Sequence, residues 1–308
     1  MQQPPDIALD DLRPILRELD GAPEPVALTP LHGGSTKVWR IDLAADDPLV
    51  LKTYPNGMGW SPRKEAYAAS LLQGLDLPVT RYRVLDETKT KLPVAYAIAS
   101  WLPGEPVRSF IGKRDLTDIY RAMGALIRRL HTVRLEAYGY ITADGIANPR
   151  TSNADAMRDT VEDRKFRDHG GDADLAHRLE AIVTDRAALF THSTGPVFAH
   201  DDVQQSNVLA ARDANGALHL SGLIDFGNVR AADPVYDLAK CIFCAEHEDP
   251  TCRAAMLEGY GPIPHPEPEA ALRLYTLIHR MMMWWWLRHI AVISADEPHS
   301  IIDELRKT

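Results

Sequence analysis

Residues 200–227 read HDDVQQSNVLAARDANGALHLSGLIDFG. Two apolar runs, NVLAAR and ALHLSGLIDF, flank Asp213-Ala214-Asn215-Gly216, and Asn-Gly between such runs is the strongest short-range signal for a β-hairpin. With Asn215 and Gly216 as the central turn residues, Ala214 pairs with Ala217. Counting back places Asn207 opposite Ile224, one residue from Asp225. Cross-strand neighbours lie about 5 Å apart, so an amide oxygen and a carboxylate converge at the open end of the hairpin. Two such oxygens suit one magnesium ion. Asp202, five residues before Asn207 on the entering loop, overhangs the same place.

This arrangement meets the needs of phosphoryl transfer. One aspartate orients the attacking hydroxyl and takes its proton, while Asn and Asp hold the metal that neutralises the phosphates. The spacing H-x-D-x-x-x-x-N from His200 through Asp202 to Asn207, followed by Asp225-Phe226-Gly227, is that of kinases. Turn capping explains each of these residues separately, but not their convergence. Lys52 stands in the strand-like run LVLKTY, an odd place for a charge unless it points into a cleft, and Glu65 on the following helix is its natural ion-pair partner, a combination that can hold a lysine against nucleotide phosphates. Between the first two strands, Gly33, Gly34 and Ser35 (in HGGST, 32–36) offer backbone N–H groups to phosphate. The sequence contains no G-x-x-x-x-G-K-[ST], which excludes a P-loop as the source of the phosphate site.

A formal net charge of −9 over 308 residues is the opposite of what a phosphate-backbone binder carries, so nucleic acid is excluded as a main partner. The N-terminus, MQQPPDIALDDL, has no basic segment followed by an apolar one, hence no signal peptide is expected and the expected compartment is the cytoplasm. The most apolar stretch, LYTLIHRMMMWWWLRHIAVISA, is broken by His279, Arg280, Arg288 and His289; it is expected as a buried helix and not as a membrane span. Cys241, Cys244, His247 and Cys252 have the outline of a zinc site, but the first pair falls in a helical pattern, which favours buried free thiols over metal ligands.

Along the chain, PVALTPLHGG, KVWRIDLAA and LVLKTYP read as an antiparallel meander. SPRKEAYAASLLQGL follows as a helix with Ser61 as cap and Pro62 in the first turn, then RYRVLDE and YAIASWL as strands. After Gly104 helical patterns dominate, starting with DLTDIYRAMGALIRRLHTV, which puts Leu116, Ile119, Met123, Leu126, Ile127 and Leu130 on one face. The exception is a β island at about 195–227. The expected fold is α+β and bilobal: a small antiparallel-sheet N-lobe with one helix (1–103, hinge near 99–105) and a larger, mainly helical C-lobe (104–308) carrying the catalytic loop, the metal site and the acceptor site.

With these residues in hand, the chain resembles the aminoglycoside phosphotransferase and choline kinase superfamily, small-molecule relatives of the protein kinases. The resemblance spans LHGGSTKVWRIDL, LVLKTY, KEAYAASLL, WLPGEPV, HDDVQQSNVLA and LIDFGNVRAADPVYDLA; the last two are the specific ones. It implies Asp202 as catalytic base, Asn207 and Asp225 as ligands of Mg2+, Lys52 with Glu65 on the phosphates of ATP or GTP, His200 as a brace for the catalytic loop, and Asp237 as a buried structural residue. There are departures. Asp201 stands where the family usually has glycine, and its carboxylate is expected to point to solvent. Asp-Phe-Gly replaces the Asp-Trp or Asp-Phe-Glu common among antibiotic kinases.

Acceptor-lining candidates are residues 151–171, the acids Glu246, Glu248 and Asp249, and the helix through Met281–Trp286, where core packing is the default reading. The implied activity is transfer of the γ-phosphate of ATP or GTP to a hydroxyl of a small molecule, with a cationic one among the options and an aminoglycoside or similar antibiotic as the first expectation. A metabolic kinase for choline, a sugar or an amino alcohol is the rival. A non-catalytic, pseudokinase-like nucleotide-binding module is the reading from another class, opposed by the presence of Lys52, Asp202, Asn207 and Asp225. The sequence leaves the oligomeric state open.

Overall fold

The computed structural model describes residues 7–31, 36–55, 61–162, 172–290, 303 and 305–307. Gly33, Gly34 and Ser35, the phosphate-loop candidates, lie outside the described residues, as does the 163–171 part of one acceptor-lining candidate. The chain forms two compact units. One comprises Met1–Phe110, Ile141–Gly145 and Gln205–Asn228; the other Ile111–Tyr140, Ile146–Gln204 and Val229–Thr308.

The first unit opens with α1 (Leu9–Leu16), then β1 (Pro25–Leu31), β2 (Lys37–Leu43), β3 (Leu49–Tyr54), α2 (Pro62–Ser70), β4 (Tyr82–Asp86) and β5 (Ala95–Ser100). The strands make one antiparallel sheet in the order β1-β2-β3-β5-β4, with the expected meander as its first three strands. Helix α1 was not anticipated; it is short and contains Pro14. Its own signals are the Ala8 N–H capped by Asp11 at 2.9 Å and the i, i+3, i+4 spacing of Leu12, Ile15 and Leu16. These three pack with Trp39, Ile41, Leu49, Leu51, Tyr96 and Ile98 into the core on one sheet face. Because strand side chains alternate, burying Leu49 and Leu51 on that face sends Lys52 to the other.

The linker strand β6 (Glu105–Pro106) pairs with β10 (Val208–Arg212), which pairs in turn with β11 (Leu218–Leu223). The hairpin is present, but its turn differs from the two-residue expectation. Arg212 faces Leu218, the Asp213 N–H donates to Ala217 O at 2.9 Å, and Ala214-Asn215-Gly216 form a three-residue loop. Gly216 sits at φ +82°, the left-handed position that completes such loops. The Asp213 carboxylate fixes the loop by accepting from the N–H groups of Asn215 (2.8 Å) and Ala217 (2.9 Å). This shifts the ladder by one residue. A bulge shifts it back: Ala210 faces Leu220 and Leu209 faces Gly222, leaving Ser221 as the extra residue. Its hydroxyl donates to Pro103 O at 2.6 Å. The ladder therefore ends where the simple count placed it, with Ile224 N–H donating to Asn207 O at 3.0 Å.

The second unit contains α3 (Thr117–Leu130), α4 (Asn153–Glu162), α5 (Ala173–Asp185), α6 (Pro234–Glu248), α7 (Cys252–Tyr260) and α8 (Pro268–His289). Apart from residues 141–145, which fall in the first unit, its strands are β7 (Tyr138–Thr142), β8 (Gly145–Arg150), β9 (Val197–Ala199) and β12 (Arg230–Ala232), in the order β8-β7-β12-β9. Strands β7 and β8 correct the expectation of a single β island after Gly104. They are short, but YGYIT alternates and Asp144-Gly145 is a hairpin signal that the helical reading passed over. Helix α3 buries Ile119, Met123, Leu126, Ile127 and Leu130, the anticipated face. Helix α8 buries Met281 and Trp284 and leaves Met282, Met283, Trp285 and Trp286 half-buried. No described helix is long and apolar enough to cross a membrane. All three cysteines are buried and free, and burial pushes the thiols of Cys244 and Cys252 up to about 12.

Helices α3 and α7 cross at two glycines. A Cβ on Gly124 would lie 2.0 Å from Met256 O, and one on Gly259 would lie 1.8 Å from Arg121 O. Overpacking of this kind costs about 1–3 kcal/mol. Gly124→Ala is therefore expected to lower the melting temperature by several degrees, measured by circular dichroism. An unchanged melting curve would mean that the helices separate freely at this crossing.

Candidate active site

In the first unit the chemistry gathers at Lys52. Its ammonium lies 2.8 Å from Glu65 Oε1 and 2.9 Å from Asp225 Oδ1. The Glu65 side chain is 1% exposed and that of Asp225 45%, so one partner is sealed in and the other faces outward. Glu65 rides on α2, whose start is fixed by Ser61 accepting from Lys64 N–H at 3.1 Å and by Pro62 in the first turn. Burial opposes the charge on Lys52, but Glu65 and Asp225 outweigh it and raise its pKa above the usual lysine range. Burial likewise raises the Glu65 pKa, against the pull of Lys52.

Two residues in this constellation escaped the sequence reading. The Tyr82 hydroxyl donates to the second Glu65 oxygen at 2.8 Å, leaving the carboxylate held at both oxygens. Lys64, buried, donates to Gly227 O at 2.5 Å and ties α2 to the Asp-Phe-Gly turn. Its adjacency to Glu65 was the only signal; a lysine in an RKE run otherwise reads as solvated. Asp225 itself is at φ +67°, a left-handed conformation that costs a non-glycine residue about 1–3 kcal/mol and recurs at functional sites. Asn207, buried, closes the same hairpin end through its carbonyl.

In the second unit the loop His200–Asp202 is organised by Asp237 in the first turn of α6. The buried Asp237 carboxylate accepts from Asp201 N–H (2.8 Å) and His200 N–H (3.3 Å) and pairs with His131 Nε2 at 2.8 Å. His131 Nδ1 meets the Tyr260 hydroxyl at 2.9 Å, which makes Nε2 the natural N–H donor to Asp237. Burial would raise the Asp237 pKa; the His131 hydrogen bond and charge and the Asp201 N–H overcome it and hold the carboxyl below the usual range. His131, at the end of α3, was missing from the candidate residues. Asp202 is half-buried, and Gln204 Nε2 donates to its Oδ1 at 2.9 Å.

Asp201 does not point to solvent. The residue is 7% exposed, and its carboxylate lies 3.9 Å from Arg230 Nε. Its backbone is at φ +59°, a conformation that glycine adopts freely and aspartate tolerates better than most residues. A glycine-type position thus gains a buried acid because a cation is at hand. Arg230 also stacks on the Tyr140 ring at 4.2 Å, lies 5.1 Å from that of Tyr236, and donates to the Tyr236 hydroxyl. Of the acids considered for the acceptor, Glu246 pairs with Arg253 at 3.4 Å, and Asp249 accepts from Tyr120 (2.6 Å) and Thr251 (2.7 Å) hydroxyls.

A profile of the phosphotransferase enzyme family (APH) matches residues 27–273. Among solved structures the chain is similar to aminoglycoside phosphotransferase APH(4)-Ia in ternary complex with AMP-PNP and hygromycin B, at 17% identity and TM-score 0.68, covering 92% of each chain. It is similar to a candidate fructosamine-3-kinase from Thermobifida fusca at 19% identity and TM-score 0.67, covering 96% of this chain and 97% of that one. A third is APH(2")-IIa with streptomycin and ATP, at 15% identity and TM-score 0.60, covering 99% and 97%. At such identities these likenesses show a shared α+β kinase fold. The family match spans most of the sequence, including Lys52, Glu65, the His200–Asp202 loop, Asn207 and Asp225, and by it the chain belongs to the phosphotransferase enzyme family.

Proposed function

We propose that the protein transfers the γ-phosphate of ATP or GTP to a hydroxyl of a small molecule in the cytoplasm. The observation that carries this reading is Lys52 held between a sealed glutamate and an outward-facing aspartate. Lys52, oriented by Glu65 and through it by Tyr82, places its ammonium against the nucleotide phosphates. Lys52 and Glu65 belong to the nucleotide-binding lobe, 1–103, and Asp202 to the acceptor-binding lobe, 104–308. Asn207 and Asp225 offer hard oxygen donors, the set that magnesium takes, and the exposed Asp225 carboxylate keeps surface beyond the oxygen that meets Lys52. Bound there, Mg2+ supplies neutralisation of the phosphate charge. Asp202 takes the proton of the acceptor hydroxyl, whose oxygen bonds to the γ-phosphorus as the bond to the bridging oxygen breaks, giving a phosphate ester and the nucleoside diphosphate. His200 and Asp237 hold that loop in place.

The test is transfer of label from γ-labelled ATP and GTP to a panel of sugars, amino alcohols, hydroxy acids and aminoglycosides. Labelled phosphate ester is expected from at least one class. Nucleotide binding without label reaching any acceptor would overturn the reading.

A further inference from the structure

Helix α6 carries one more charged residue beside the catalytic loop. Lys240 follows Asp237 by three residues, one turn along the helix whose first turn clamps the His200 and Asp201 N–H groups. It is half-buried, and among the described residues its ammonium has no hydrogen-bond or ion-pair partner. Leaving an ammonium partly desolvated and unpaired is unfavourable unless something completes it. The charges of Asp201 and Asp202 favour the ammonium without a hydrogen bond to it, the Asp201 carboxylate lying 3.9 Å from Arg230 Nε.

The surroundings hold further cations as well as the two acids of the catalytic loop. Arg280, from α8, lies 5.8 Å from the ring of Phe243, the residue one turn beyond Lys240. His279 is buried with Nε2 on Tyr236 O at 2.9 Å. Burial, reinforced by the charges of Lys240 and Arg230, holds it far below the usual histidine range and neutral. Burial opposes the Lys240 charge too, yet the nearby carboxylates of Asp201 and Asp202 raise its pKa and keep it protonated. Farther along α6, Glu246 and Asp249 are paired as described. A polycationic acceptor meets a lysine here, next to the base.

We infer that Lys240 is a specificity-determining residue whose ammonium receives a carboxylate or phosphate group carried by the acceptor alcohol, close to the hydroxyl that Asp202 deprotonates. The inference rests on the phosphotransfer reading of Asp202. It deepens that reading by assigning an anion-bearing acceptor in place of the cationic one first expected. The ion pair with Lys240 orients the acceptor, and the gain appears in KM more than in kcat.

The experiment uses the full chain with ADP and magnesium, and titrates four related pyranoses by calorimetry: glucuronate, glucose 6-phosphate, glucose and glucosamine. One anionic member is expected to bind at least about 10-fold tighter than glucose and glucosamine, a single charged contact being worth that much. Carboxylate and phosphate are separated by which of the two binds. Lys240→Met is expected to erase the preference and Lys240→Glu to reverse it toward glucosamine, with melting curves close to the parent. Equal binding of anionic and neutral sugars, no binding of any, or a preference that survives Lys240→Met overturns the inference. Calorimetry involves no transfer, so its result stands apart from the labelled-nucleotide assay that tests phosphotransfer itself.

Discussion

Asp202→Ala is expected to lower kcat by about 10²–10⁴-fold, the contribution of a positioned general base, with the nucleotide dissociation constant close to the parent's. The separation follows from placement. Lys52, Glu65 and Asp225 hold one another in the first unit, whereas Asp202 belongs to the loop clamped by Asp237 in the second. Asp202→Asn is the more stringent variant, because its amide oxygen still accepts from Gln204 and the loop keeps its shape. It removes only the proton acceptor, so it is expected to match the alanine variant in kcat. Single-turnover kinetics with labelled ATP, alongside calorimetric titration of nucleotide, checks both. Parent-like turnover in the asparagine variant would sink the assignment of Asp202 as base.

The second large effect is on stability. Asp237→Ala leaves two buried N–H groups and His131 without their acceptor. A buried donor left without its acceptor costs about 1–3 kcal/mol, so three together cost several kcal/mol, which for a chain of this size lowers the melting temperature by roughly 10 °C. The same site sets a pH dependence. The Asp237 carboxyl is held below the usual aspartate range. Its stabilisation is therefore complete above an unfolded value of about 3.9 and is lost as the pH falls through the lower folded value. Denaturation of parent and Asp237→Asn between about pH 2 and 5 is expected to show a shallower acid limb in the variant. A loss below about 1 kcal/mol in Asp237→Ala would mean that the clamp is not stressed in the native state.

Much of this was legible in the residues because the chemistry imposes spacing. A hairpin signal between Asn207 and Asp225 brings both to one end, the offset of the three-residue tip being cancelled by the bulge at Ser221, and a charged residue in an apolar strand with an acid on the next helix anticipates Lys52–Glu65. Partners distant in sequence with no local signature were not legible. Two adjacent acids suggest mutual repulsion and exposure, and nothing near Asp201 points to Arg230, which becomes its partner only when β12 is laid beside β9. Tyr82 and His131 are likewise ordinary where they stand in the sequence, and become specific through Glu65 and Asp237. Helix α1 and the β7–β8 pair had usable signals that were weak because the elements are short.

The hairpin tip and the extra residue at Ser221 have a joint effect. Each offsets the ladder by one place and the two cancel, so the segment between them resembles a vernier with its own zero. A slide of that segment to the alternative two-residue tip would remove both offsets together and leave the junction of Asn207 with Ile224 unmoved. What opposes the slide is the grip of Asp213 on its loop and of Ser221 on Pro103. Sequence drift at the exposed tip is thereby decoupled from the ligand end of the ribbon.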